Sequence, residues 1–332
     1  MRTGSPAAIL ALAVAAGASL VAALAVGSVP LPLRELIGAA LGSTSAGADI
    51  VLGLRAPRAL SGFAVGATLA LSGALLQALL RNPLADPYVL GISGGAAVAA
   101  LAALALGLGA VAVQASAIVG ALLTLAILFV LARRSLYSTD MSGGEQAAGS
   151  VLLTGVMLAS FAAALMSLIL ALAPDGRLRS MMFWLLGDLS GATDPWPAVL
   201  ALVLAIALLL FARGHARSLN LMLRGDLQAY TQGVRVDVTR RQLVLVAAFA
   251  TASAVTLGGA VGFVGFVAPH LVRMWTGNDQ RVVLPASMLL GGTLVVVADT
   301  VARTAFAPLQ LPVGVLTALI GVPVFLWFLG RR

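Results

Sequence analysis

Asp299 and Arg303 stand four residues apart in an otherwise apolar stretch. At that spacing a carboxylate and a guanidinium meet on one face of a helix and lower the cost of carrying charge among apolar neighbours. The pair reads as structural, not catalytic. Arg55 and Arg58, with Pro57 between them, add two guanidinium groups whose planar forks suit carboxylates, so three such groups can gather at one surface. They read either as donors to an acidic surface or as anchors of helix ends. Arg81-Asn82-Pro83-Leu84-Ala85-Asp86-Pro87 carries two prolines that forbid a continuous helix. It is either a plain turn or a rigid elbow that presents Asn82 and Leu84. His215 and His270 lie far apart with no carboxylate at ligand spacing, a poor basis for a metal site, and His270 beside Pro269 reads as a polar cap on a broken helix. No Ser/His/Asp set or paired carboxylates suggest an enzyme.

Composition points the same way. The chain has 332 residues, 61% of them hydrophobic and 10% charged, too much apolar surface to hide beneath so little polar surface in water. Apolar runs long enough to cross a hydrocarbon core of about 30 Å fill most of the sequence. Stretches such as Ala198 to Phe211 are apolar at every position, which excludes the alternating pattern of a β-barrel. The expected fold is therefore an all-α integral membrane protein with about ten transmembrane helices, one polytopic domain over residues 1–332 with no second soluble domain. The apolar run after Arg2 is longer than the core of a secretory signal and reads as the first span. Cysteine is absent, which excludes disulfides and thiol chemistry. All 20 basic residues are arginine, so a phosphate-binding loop GxxxxGK[ST], whose lysine grips nucleotide, is missing. Met141-Ser142-Gly143-Gly144-Glu145-Gln146 imitates the signature loop of an ATPase, but without the phosphate loop its glycines read as a turn before the fifth span.

The expected spans are 7–29, 58–80, 91–110, 112–132, 148–173, 195–212, 241–259, 262–275, 282–303 and 312–330. The eighth is short, and Gly262, Gly265 and Pro269 make it a bent half-helix shielded by neighbours. This arrangement leaves Arg34, Arg55, Arg58, Arg177, Arg179 and Arg303 on one side and every other arginine on the opposite side. Arginine-rich loops stay in the cytoplasm, so both termini are expected there, and the formal charge of +8 reports orientation instead of nucleic-acid binding. Small residues such as Gly62, Gly66, Ser72 and Gly73 suit close helix packing. The longest polar stretch between spans, about 213–240, is the expected contact for a cytoplasmic partner.

Several ordered stretches resemble the permeases of type II ATP-binding-cassette importers for iron-siderophores, haem and cobalamin. They are Arg55-Ala56-Pro57-Arg58, Gly66 through Gly73 with Gln77, Arg81 to Asp86, Trp184-Leu185-Leu186-Gly187, Gly259 to Arg273, Ala298-Asp299 with Ala302-Arg303, and Leu311-Pro312-Val313-Gly314. The resemblance implies a ten-helix subunit in the bacterial inner membrane that pairs with a second copy, with two cytoplasmic ATPases and a periplasmic substrate-binding protein as partners. ATP and Mg would sit on the ATPase, and this chain would bind no cofactor or metal. Arg55, Arg58 and Arg303 match positions that engage acidic residues of the binding protein, and charge reversal at Arg55 and Arg58 is expected to weaken docking with the fold intact. Asn82 and Leu84, with Pro83 between them, match the cytoplasmic gate. The segment from Leu219 to Gly233, with Leu223, Arg224, Gly225 and Asp226 at its turn, matches the helices that couple to the ATPases. Departures occur at Gln280, where histidine is usual, at Gln310, where an acid is usual, and at Arg224, inserted between leucine and glycine.

The rival reading is a secondary transporter driven by an ion gradient, which needs carboxylates at mid-membrane, whereas Asp299 lies near a span end beside an arginine. A purely structural membrane subunit would have little use for the basic inner loop. Met157, Met166 and Trp184 are candidate path residues for a large planar or chelated ligand and equally ordinary packing residues, so the residues do not fix the substrate; haem or a ferric siderophore is expected slightly ahead of cobalamin.

Overall fold

The structure is a computed structural model that describes residues 5–27, 29, 31–42, 45–133, 144–307 and 309–329. Among these residues there are helices and turns and no strands. The chain starts with α1 (Ser5–Ala25), α2 (Leu33–Ala40) and α3 (Ala46–Ile50). A π-turn at Val51–Arg55 joins α3 to α4 (Ala56–Leu79) without a break. A 3-10 turn at Pro87–Leu90 precedes α5 (Ile92–Ala105), followed by α6 (Ala110–Leu131) and α7 (Gly144–Leu172). Then come α8 (Asp175–Leu185), α9 (Trp196–Gly214), α10 (Ala216–Met222) and α11 (Asp226–Thr231). The last four are α12 (Val236–Gly258), α13 (Val264–Thr276), α14 (Gln280–Thr304) and α15 (Val313–Leu329).

Among the described residues, 7 helices are long and apolar enough to cross a membrane. They are α1, the α3–α4 run, α6, α7, α9, α12 and α14. The remaining three of the expected spans correspond to α5, α13 and α15, with 14, 13 and 17 residues. At about 1.5 Å per residue, α5 and α13 cover roughly two thirds of a hydrocarbon core. Neighbouring helices must therefore shield their ends. That shielding is visible for α13, whose Val264, Gly265, Phe266, Ala268, Pro269 and Val272 are buried against α4 and α14.

The bundle is built around α4. Nearly every residue of α4 from Pro57 to Leu79 is buried, and it packs against α14, α12, α13 and α9. Small side chains permit this crowding. A Cβ on Gly66 would fall on the carbonyl of Gly291 in α14, and one on Gly73 would fall on the carbonyl of Gly265 in α13. Lipid is as apolar as leucine, so close backbone approach and interhelical hydrogen bonds must supply the attraction. The Ser72 hydroxyl donates to the Ala247 carbonyl at 2.8 Å and lies 2.8 Å from the Thr251 hydroxyl, stitching α4 to α12. The helices at the periphery show the opposite pattern, with large apolar side chains of α6, α7 and α9 exposed.

Two sequence expectations change. The second span does not begin at residue 58, because the helical run starts at Ala46 and passes through the π-turn, which accommodates the chain just ahead of Pro57 in the first turn of α4. Arg55 and Arg58 consequently sit inside a helical run instead of at its mouth. The short helices α2 and α8 were not anticipated, whereas the helices that the resemblance implies at Leu219–Gly233 appear as α10 and α11. The ATPase-signature imitation also differs from the expected turn, for Gly144 already opens α7, while Met141 to Gly143 lie outside the described residues.

Gly66→Ala is expected to destabilise the bundle by about 1–3 kcal/mol through overpacking, lowering the thermal midpoint in detergent. Gly17→Ala on α1, where nothing lies within 4 Å of the added methyl, should leave that midpoint unchanged.

Candidate functional site

Two polar regions stand at opposite ends of α4. At the end carrying its first turn, α14 brings Asp299 and Arg303 beside Arg58, and all three are buried. The Arg58 guanidinium clasps the carboxylate through Nε at 3.0 and 2.9 Å and Nη2 at 2.8 Å. Its Nη1 donates to Gln310 Oε1 at 2.7 Å. Arg303 Nε lies 3.9 Å from Asp299 Oδ2, an ion pair one helical turn apart without a hydrogen bond. Asp299 therefore has two cationic neighbours, of which Arg58, 241 positions away in sequence, makes the tighter contact.

Arg55 and Arg303 also perform a second task. The last carbonyls of a helix lack intrahelical partners and carry partial negative charge. Arg55 Nη1 donates to the carbonyls of Leu24 and Ala25 at 2.7 and 2.9 Å, its Nη2 donates to that of Val29, and Arg303 Nη2 donates to that of Ala23. The C-terminal end of α1 is thus held by two arginines from other elements. Three guanidinium groups and one carboxylate leave the cluster net cationic. It lines an open recess of about 230 Å³ together with Val29, Ser190, Ala192 and Gln310. Because Arg55 and Arg58 are held internally, charge reversal at these positions would break the hold on α1 and Asp299, which overturns the expectation that such a double variant leaves the fold intact.

At the other end, the segment after α4 is a stiff turn. Arg81 adopts φ 46, a left-handed conformation rare outside glycine. The Asn82 side chain accepts from the Leu84 N–H at 2.9 Å, closing an Asx turn across Pro83, and Asn82, Pro83 and Leu84 are all exposed. Gln77 fastens this turn from inside the bundle. Its buried amide faces the carbonyls of Ala85, Gly265 and Phe266 at 3.3, 3.4 and 3.2 Å, and Arg273 donates to its Oε1. Asp86 caps the 3-10 turn by accepting from the Tyr88 N–H at 2.8 Å, and the Tyr88 hydroxyl donates to the Val261 carbonyl at 3.0 Å. Burial pushes the Asp86 carboxyl up to about 6, against the opposing pull of the Tyr88 N–H.

The segment about 213–240 folds into α10 and α11 with the flanking ends of α9 and α12. Leu219 is fully buried and Leu223 half-buried, while Arg224 is exposed at the turn. Gly225 and Gly233 take φ 133 and φ 82, which suit glycine alone without strain. Asp226 accepts from Arg81 through Oδ1 and from Arg240 Nη2 through Oδ2 at 2.5 Å. Asn220 of α10 donates to Asp279 Oδ1 at 2.8 Å and accepts from the Gln280 N–H at 3.0 Å, which fixes α10 to the start of α14. Burial works against the charge on Asp279, yet Asn220 and the N–H and charge of Arg281 together hold its carboxyl below the usual range.

The structure brings Arg55, Arg58, Arg303 and Asp299 together, and it brings Arg81 to Asp226. It does not bring His215 to His270, and among the described residues no group of three His, Cys, Asp or Glu side chains has metal-site geometry. His215 Nδ1 instead lies 3.0 Å from the Phe211 carbonyl at the end of α9. Sequence reasoning missed Arg240, Arg273 and Asn220 as partners. A lone Gln77 inside an apolar run and Arg240 at the threshold of a span were the available signals.

A central, glycine-packed helix with charged clusters at both ends, enclosed by apolar helices, is the architecture of a polytopic membrane protein. The sequence matches the FecCD transport family over residues 12–331. The chain belongs to that family. It is 41% identical over 100% of its length to the cobalamin import system permease protein BtuC of Halobacterium salinarum, covering 89% of that protein. The vitamin B12 import system permease protein BtuC of Klebsiella pneumoniae is 38% identical over 84% of this chain and 81% of its own. Among solved structures, an inward-facing conformation of a metal-chelate type ABC transporter superposes with TM-score 0.83 at 28% identity, covering 99% of this chain and 100% of that one.

Asp299→Asn is expected to destabilise the protein by about 3–5 kcal/mol, because guanidinium groups lose the buried charge that compensates them; thermal unfolding in detergent measures it. Asp86 gives a pH signature. Its folded value lies above the ordinary 3.8, so its contribution to stability is present at low pH and is lost as pH rises from about 4 to about 6. The difference in thermal midpoint between Asp86→Asn and the unsubstituted protein should therefore grow in favour of the variant across that interval and then level off.

Proposed function

We propose that this chain is the membrane-spanning permease of an ATP-driven importer that carries a cobalamin-type metal chelate into the cytoplasm by alternating access. The observation that carries this reading is identity of 41% and 38% to cobalamin and vitamin B12 import permeases over most of both chains. The whole chain acts as one permease domain, paired with a second copy so that the path runs along the dimer axis. It lies in the inner membrane with both termini in the cytoplasm, as the arginine distribution favours. The chain lacks the lysine-bearing phosphate loop, so hydrolysis of ATP with Mg belongs to two cytoplasmic ATPase subunits and this subunit performs no covalent chemistry.

The cationic recess at Arg55, Arg58 and Arg303 receives acidic groups of the substrate-binding protein. Their forks are already oriented by α1 and Asp299, so docking needs little ordering of long side chains. Asn82, Pro83 and Leu84 form the cytoplasmic gate, with the exposed Leu84 as its apolar stop. Leu219, Leu223, Arg224, Gly225, Asp226 and Gly233 belong to the surface that follows the ATPases. ATP binding favours one arrangement of the bundle and the loaded binding protein another, and the permease supplies two states of close energy.

Iron chelates, haem included, are the second reading, supported by the metal-chelate type of the similar solved structure. Proteoliposomes containing the permease, its ATPase and binding protein discriminate. Uptake of cyanocobalamin that requires ATP and exceeds uptake of haem or a ferric siderophore is expected; uptake without the ATPase would defeat the importer, and preference for haem or the siderophore would defeat only the substrate. Docking is tested without touching the buried arginines. Ser190→Trp, which fills the recess from an exposed position, should weaken binding-protein affinity about tenfold with the thermal midpoint unchanged.

A further inference from the structure

We propose that Asp226 is a positioning residue that makes the gate turn follow the ATPase-facing turn, with its carboxylate acting as a two-sided clamp. This rests on the importer reading above. Each oxygen of the carboxylate holds a different element: Oδ1 holds Arg81, the residue that leads into Asn82-Pro83-Leu84, and Oδ2 holds Arg240 in the first turns of α12. Side-chain exposures are 15% for Asp226, 10% for Arg240 and 31% for Arg81, so the Arg240 contact is largely withdrawn from water while the Arg81 contact lies at the surface. Charge-assisted bonds of this kind are shorter and roughly twice as strong as neutral ones.

Here a single carboxylate joins the ATPase-facing turn, the gate turn and a helix that packs along α4, and rigid parts surround each contact. Asp226 opens α11 directly after Gly225, so a shift of that turn moves the carboxylate with it. Arg81 is fixed in a left-handed conformation, and the turn it leads is braced by Pro83, by the Asn82 Asx bond and by Gln77 on the Ala85 carbonyl. A displacement delivered to Arg81 is therefore transmitted to Leu84 instead of being absorbed in a slack loop. The Arg240 contact makes α12 move in step, and the Ser72–Thr251 contact carries α12 along with α4. Arg224, two positions earlier and exposed, remains available to the ATPase, which leaves Asp226 to face inward.

The test uses the full complex in proteoliposomes, reading ATPase co-purification, ATP hydrolysis and substrate moved per ATP. Asp226→Asn keeps the shape and removes the charge; it should assemble with the ATPase as usual and keep hydrolysis stimulated by the binding protein, while substrate moved per ATP falls about tenfold. Arg81→Gln should reproduce this uncoupling, and Asp226→Glu should restore most of the coupling. An unchanged ratio in Asp226→Asn overturns the proposal. So does loss of ATPase co-purification in Asp226→Asn with normal coupling in Arg81→Gln, which would make Asp226 an ATPase contact. Equal loss of folded protein in all three variants would assign it a purely structural role and overturn it as well. If the unsubstituted complex moves nothing with ATP, the importer reading itself fails, and that outcome is separate from any difference among the variants.

Discussion

Lipid offers a polar group no hydrogen bond, so every charge and every loose carbonyl inside this bundle must be answered by the protein itself. That constraint explains why the arginines beside Asp299 do not point away from the chain. Arg55 and Arg303 occupy the carbonyls that end α1, and Arg58 occupies Asp299. Gln77 and Arg273 solve the same problem at the other end, where α13 is too short to shield its own backbone. Each of these polar groups thereby serves the fold.

One helix connects the two ends. With 24 residues, α4 spans about 36 Å at the usual helical rise, carrying Arg58 near its start and Gln77 near its finish. Its neighbours approach through Gly66 and Gly73, where no side chain separates the backbones. Interfaces packed this closely shift between discrete arrangements instead of deforming smoothly, because even a methyl group has no place to go.

Many elements were legible because their signals are local. Long apolar runs mark the crossing helices through composition alone, and Pro83 and Pro87 mark the turn after α4 through the missing N–H and the fixed φ of proline. The Asp299–Arg303 spacing is likewise a local pattern, and the two side chains do lie within ion-pair range. The starting point of the α4 run was not legible, since Pro57 reads as a helix opening and nothing in Val51–Arg55 announces a π-turn. Short helices α10 and α11 have 7 and 6 residues, too few to display a period, so the family resemblance and not the residue pattern pointed to them.

What the sequence determined by itself was the apolar surroundings of the protein, the order of its long apolar runs and the want of its own nucleotide-gripping lysine, all of which follow from residue type and run length. What only the tertiary structure decided was which charges meet. Arg58 and Asp299 are 241 positions apart, and Asp226 meets Arg81 across 145 and Arg240 across 14. Such pairings depend on how rigid helices pack past one another, a property of three-dimensional contact that linear spacing does not encode.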